Sequence, residues 1–165
     1  MKRIASILAF LTVWSTAMAA EPMTNRRSFR LDAPCAQVFP LFTAEGEKRW
    51  APGWDPQMLS GDTARGTVFK TVSHRDARET VWIVTAYEPE HHRVSYARIA
   101  QGSNTGLVDV VCAPSGQGAE ISVRYTLTGL DAPGAEFVRE FLSDARYSDF
   151  IEEWRVALVK ALAQS

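Results

Sequence analysis

Hydrophobic and polar positions along the chain change period three times. Phe29 and Leu31 share one face of a segment whose other face carries Ser28, Arg30 and Asp32, which predicts a first strand over about residues 26–33. Asp32-Ala33-Pro34 ends it, and Pro34 suits the first turn of a helix because its missing N–H has no partner to lose there. Val38, Leu41 and Phe42 then recur at helical spacing, giving a short helix over 35–43 that Pro40 shortens or distorts. A charged segment, Glu45 to Arg49, leads into the turn-rich run Trp50-Ala51-Pro52-Gly53-Trp54-Asp55-Pro56.

Period-two segments follow at 66–73, 80–87, 93–100 and 107–113, separated by polar tips at 73–78, 88–92, 101–106 and 114–118. The cleanest alternation puts Ile121, Val123, Tyr125 and Leu127 on one face and Glu120, Ser122, Arg124 and Thr126 on the other. One buried and one wet face is the signature of an antiparallel sheet. After Asp131-Ala132-Pro133-Gly134 the period becomes helical. Phe137, Phe141, Tyr147, Ile151, Trp154, Leu158 and Leu162 fall near one face of a helix of up to about 30 residues, near 45 Å long. Such a helix needs a long surface to pack on, and the sheet supplies it. No repeat or low-complexity linker interrupts the pattern, so residues 20–165 read as one α+β domain.

The first 19 residues read differently. Lys2 and Arg3, the uncharged apolar stretch Ile4 to Trp14 and the small residues of Ala17-Met18-Ala19 have the layout of a secretory signal peptide. The apolar stretch is shorter than the roughly 20 residues of a permanent span. The expectation is cleavage after Ala19 and export to the periplasm or the exterior, with no stable membrane insertion afterwards. The remaining 146 residues are one ordinary domain with a formal charge of −3, against −1 for the whole chain. A mildly acidic chain without a basic run has no electrostatic footprint for nucleic acid. The sequence sets no oligomeric state.

The element order resembles the helix-grip fold of the START/Bet v 1-like (SRPBCC) superfamily. Three stretches carry the resemblance: Leu31-Asp32-Ala33-Pro34 followed by Val38-Phe39; Val84 to Pro89 with Arg93-Val94-Ser95-Tyr96; and Gly118 to Val123 followed by the helix bearing Trp154, Leu158 and Leu162. The Trp50 to Pro56 run is similar to one in a poorly characterised branch of that superfamily. The resemblance implies a curved antiparallel sheet of about seven strands wrapped around the long C-terminal helix, with one or two short helices after the first strand. It also implies a cavity between sheet and helix. The superfamily includes lipid carriers, hormone receptors, allergens, polyketide cyclases and oxygenase subunits, so the site must decide the activity.

Alternation and helical phase then nominate the cavity wall: Phe69, Trp82, Val84, Tyr96, Arg98, Val123, Tyr125, Phe137, Phe141, Tyr147, Ile151 and Trp154, with Trp50 and Trp54 at the entrance. Taken singly, each large apolar residue is expected to fill the core, while for the set as a whole the resemblance favours a cavity; the two tryptophans could equally clasp their loop to the sheet. Arg98 and Asp109 depend on strand parity. An inward Arg98 needs Asp109 or a ligand carboxylate as partner, whereas the opposite register makes it a solvated surface charge, which is the expected position. His74, His91 and His92 fall on hairpin tips, the first at the opposite end of the sheet, and read as solvated residues. No nucleophile elbow, phosphate loop, metal spacing or cofactor motif is present, and no catalytic residue is assigned. In the implied topology Cys35 and Cys112 lie two strands apart, about 9.6 Å, beyond the roughly 7 Å that a disulfide tolerates, so strand spacing alone predicts free thiols unless a bend or the helix start closes the gap. The expected function is an exported carrier for a small apolar ligand, lipid-like or aromatic. The alternatives are a cyclase- or dehydratase-like enzyme using Tyr96, Arg98 and Asp109 in the same cavity, and a protein-interaction module with a closed core.

Overall fold

A computed structural model describes residues 20–72 and 78–164. Strand β1 (Met23–Leu31) leads through the Pro34 turn into α1 (Cys35–Val38), a 3-10 turn (Phe39–Phe42) and α2 (Ala44–Glu47). Six strands follow: β2 (Gln57–Ser60), β3 (Val68–Val72), β4 (Glu79–Glu88), β5 (Arg93–Ala100), β6 (Asn104–Ser115) and β7 (Gly118–Gly129). Two helices, α3 (Ala132–Phe141) and α4 (Asp144–Leu162), end the chain. The sheet is antiparallel in the order β1-β7-β6-β5-β4-β3-β2, so the last strand is inserted beside the first. This is the expected helix-grip arrangement, a seven-stranded sheet curved around C-terminal helical structure. The short edge strand β2, absent from the sequence reading, is exposed throughout.

The sheet bends where its ladder is interrupted. Between Val84 and Ala86 the register against β5 shifts, so Thr85 is an extra residue on β4. A bulge of this kind kinks the strand and increases its twist. It also resets side-chain parity: Trp82 and Val84 face the helix before it, and Tyr87 does so after it, stacked on Phe39 at 5.7 Å. Inward residues of β5, β6 and β7 (Val94, Tyr96, Val108, Val110, Cys112, Ile121, Val123, Leu127) join Phe29, Leu31, Leu41, Phe42, Val138, Tyr147 and Leu158 in one continuous core.

The single long helix expected from the sequence is two helices. At Leu142 and Ser143 the backbone leaves helical geometry, and Ser143 is extended at φ −61°, ψ 150°. The sheet compensates the break. Asn25 on β1 donates from Nδ2 to the Leu142 carbonyl at 2.9 Å and to Asp144 Oδ1 at 3.1 Å. Arg27 donates to the same carboxylate at 2.7 Å and to Ser148 Oγ at 3.0 Å. On either side of the break, α3 packs against β7 and β6 and α4 against β1. Asp131 caps α3 by accepting from the Gly134 N–H at 2.7 Å. Gly134 itself is required, because a Cβ there would lie 1.8 Å from the Ser103 carbonyl oxygen.

The two cysteines form a disulfide, with Cα atoms 5.8 Å apart. The expectation of free thiols fails because it measured strand spacing alone. Cys35 is not on β1 but on α1, which turns back across β7 and lies against β6, where Cys112 points inward.

Candidate functional site

Between the concave sheet and α4 lies a cavity of about 410 Å³. The sheet contributes Phe69, Trp82, Tyr96, Arg98, Val108, Val110 and Tyr125. The helices contribute Phe137, Phe141, Phe150, Glu153, Trp154 and Ala157, and the segment after α2 closes the third side with Trp50, Ala51, Pro52 and Trp54 behind Glu47. The exposed lining residues Pro52, Phe137 and Glu153 come from three different segments and mark the opening.

The aromatic lining is locked ring to ring. Trp154 meets Trp50 edge-on at 5.0 Å and Phe150 at 5.4 Å, and Phe150 meets Phe141 at 5.1 Å and Tyr125 at 5.9 Å. On the sheet side Trp54, Phe69, Trp82 and Tyr96 form a second cluster with centroids 5.6–6.3 Å apart. Offset and edge-to-face pairs of this kind add about 0.5–1.5 kcal/mol each beyond area burial, so the wall is stiff. Trp50 and Trp54 are clasp and wall at once. Their indole N–H groups donate to the Leu41 carbonyl at 2.7 Å and the Ala44 carbonyl at 2.8 Å, while their rings line the cavity. Trp50 is buried, so it stands inside the cavity and not at its entrance.

Four polar groups interrupt the inner part of the apolar wall, with Glu153 at its exposed opening. Arg98 faces inward, contrary to the expected surface position, because β5 alternates from Val94 through Tyr96 without a bulge. Its guanidinium lies over the Trp82 ring at 5.4 Å and donates through Nη1 to Asn104 Oδ1 at 2.9 Å. Its Nε is buried without a hydrogen-bond partner. Desolvation by burial lowers its pKa from the ordinary arginine value. Glu47 is the second group, and its charged sequence neighbourhood gives no sign of burial. Its carboxyl lines the cavity, and burial without a compensating cation pushes its pKa well above the usual carboxylate range. Tyr125 is the third. Burial raises its pKa; the Arg98 charge acts to lower it and Glu47 to raise it, so both groups lie within electrostatic reach of its hydroxyl. Tyr96 is the fourth, its hydroxyl donating to the Phe42 carbonyl at 2.7 Å. Burial and then the Glu47 charge raise its pKa.

Other sequence candidates lie elsewhere. Val84, Val123, Tyr147 and Ile151 are buried behind the wall, in the packed core. The Tyr147 hydroxyl donates to the Val123 carbonyl at 3.1 Å and ties α4 to β7. Asp109 is on the outer face of the sheet, since β6 turns Val108 and Val110 inward. There it accepts from Ser95 Oγ at 2.6 Å and from Arg124 at 2.8 and 3.1 Å. Partial burial would raise the Asp109 pKa, but these hydrogen bonds and the Arg124 and Arg93 charges outweigh it and hold the carboxyl below its ordinary value. Tyr96, Arg98 and Asp109 therefore do not form one site. His92 occupies a left-handed turn at φ 46° beside Phe39, and His74 is outside the described residues. Among the described residues no group of three or more His, Cys, Asp or Glu side chains is placed to hold a metal ion. Phe150 carries a usable signal that the sequence reading missed: it is four residues before Trp154 and three after Tyr147 on one helical stripe.

Solved structures share this architecture. Ara h 8.0201 matches with a TM-score of 0.67 at 16% identity, over 87% of this chain and 99% of that one. Truncated norcoclaurine synthase from Thalictrum flavum matches with 0.67 at 13% identity, over 91% and 99%. TTHA0849 from Thermus thermophilus matches with 0.64 at 16% identity, over 87% and 99%. At these identities the likeness concerns the fold alone. No curated protein matches the sequence. Residues 24–153 match the family model described as polyketide cyclase / dehydrase and lipid transport, which spans most of the sheet and helix just described, and the chain belongs to that family.

Proposed function

We propose that the chain is an exported binding or carrier protein, periplasmic or secreted, that holds one small apolar ligand, lipid-like or aromatic, between the sheet and α4. The observation that carries this reading is the cavity itself, about 410 Å³ with walls built mainly from aromatic and aliphatic side chains. That volume lies within the range of small-molecule sites, which supports one ligand and not several. The N-terminal pattern supports export, and the Cys35–Cys112 disulfide supports an oxidising compartment.

Native mass spectrometry of protein recovered from an exporting host without detergent tests the proposal. A discrete added mass, extractable into organic solvent and absent from a folded variant with a small residue in place of Tyr125 or Trp154, is the expected result. An apo mass with no uptake from a lipid and aromatic library would overturn it.

One observation favours a second reading, a cyclase- or dehydratase-like enzyme. Glu47 is a buried carboxyl on the cavity wall whose pKa burial pushes upward, the direction that favours a general acid. Turnover of a bound compound that stops in Glu47→Gln while binding persists would favour the enzyme over the carrier.

A further inference from the structure

We infer that the ligand of this cavity is an apolar acid, with its carboxylate seated against Arg98 and its hydrocarbon or aromatic body along the Trp50–Trp154–Phe150 wall. This deepens the carrier reading and rests on it. Arg98 is a permanent cation on the inner face of the sheet. Among the described residues no carboxylate forms an ion pair with it, and its single side-chain hydrogen bond goes to the neutral amide of Asn104. Asn104 is itself held, 1% exposed, donating from Nδ2 to Ser103 Oγ at 2.9 Å. A part-buried cation satisfied by one amide and one indole face carries a desolvation cost, and a ligand anion is the group that relieves it.

Three further features point the same way. The buried Nε–H of Arg98 has no acceptor. The Tyr125 hydroxyl is within the field of Arg98, lines the same cavity and makes no hydrogen bond to another described residue, leaving a second donor for a carboxylate oxygen. Among the described residues Glu47 is the only acid on the buried part of the wall, and it forms no ion pair with Arg98, so the ligand is left to supply the anion.

The test pairs acids with neutral isosteres: decanoate against decanol for an acyl body, and 2-naphthoate against 2-naphthylmethanol for an aromatic one. Calorimetric titration into the protein purified from an exporting host reads affinity at neutral pH, and the better acid identifies the body. Wild type is expected to prefer at least one acid over its alcohol by tenfold or more. Arg98→Met is expected to abolish that preference, weakening the acid at least tenfold while leaving the alcohol unchanged or tighter. Tyr125→Phe is expected to weaken the acid severalfold and spare the alcohol, and it keeps the question answerable if Arg98→Met does not fold. Equal binding of acid and alcohol by wild type overturns the inference while leaving the carrier reading standing. So does an equal loss of both in a folded Arg98→Met, which would make Arg98 a packing residue. Failure of all four compounds, together with an apo mass and no library uptake, overturns the carrier reading as well.

Discussion

Glu47 and Arg98 show how a residue's neighbourhood overrides its local sequence. Glu47 belongs to a charged run, and nothing in that run distinguishes it from Glu45, which pairs with Lys48 at the surface. It is the one that α2 turns into the cavity. Its raised pKa means that the folded state holds a proton which the unfolded chain releases above its ordinary carboxylate pKa. Stability is therefore unaffected by Glu47 in acid and falls as pH rises from the unfolded pKa toward the folded one, by at most about 1.4 kcal/mol per pH unit. Glu47→Gln removes that slope. Urea unfolding at pH 4 and pH 8 should show the variant near wild type in acid and more stable than wild type at pH 8; a constant difference across that range would contradict it. Arg98 is undecidable from sequence because apolar residues occupy both parities of the neighbouring strand β6, with Val108 and Val110 on one and Leu107 and Val111 on the other. Strand β7 has no such ambiguity, and its inward set Ile121, Val123, Tyr125 and Leu127 is legible without the structure, as the burial of all four shows.

At the scale of elements, strand positions and their order are readable because alternation and turn residues are local signals. Breaks and bridges are not, because they depend on partners distant in sequence. The step of six from Phe141 to Tyr147 is the trace left in the sequence by the α3–α4 break, since a continuous helical face advances by three or four. The partner that stabilises the break, Asn25, lies 117 residues from the carbonyl it satisfies. Asn25→Ala leaves the buried Leu142 carbonyl without that donor and should cost about 1–3 kcal/mol in chemical denaturation. A loss below a few tenths would show that solvent replaces the amide. The disulfide closes a separation of 77 residues. Chain-entropy reasoning gives about 3 kcal/mol for a 15-residue loop and 4.7 for a 100-residue loop, so reduction should cost roughly 4.5 kcal/mol. Denaturation with and without dithiothreitol, and of the paired Cys35→Ser/Cys112→Ser variant, measures this directly.

For the whole molecule the cavity is a stability deficit retained at the centre of the fold. Val108 lies on its sheet wall, 3% exposed. Val108→Phe should fill part of the space, raise stability by about 0.5–2 kcal/mol in the apo protein and suppress ligand uptake. Thermal melts read the first effect and native mass spectrometry the second; a destabilised variant would mean that the wall cannot accept the extra ring. Four of the five tryptophans of the chain, Trp50, Trp54, Trp82 and Trp154, line the cavity, so intrinsic fluorescence reports its occupancy without a label.

The disulfide also bears on how the molecule is put together. Cys35 and Cys112 both precede β7 in the chain, and β7 is the strand that ends up between β1 and β6. In a chain made from its N-terminus, the bridge can close while β7 is still unborn. Its two future neighbours are then tethered at one end of a slot two strand spacings wide, about 9.6 Å. Entering that slot, β7 acts as a keystone with a hydrogen-bonding edge on either side, and α3 and α4 arrive after it as the roof. The part of the basin that carries Glu47, Tyr96 and Arg98 thus precedes its cover in the chain, and early closure of the bridge would leave it an open vessel until β7, α3 and α4 arrive.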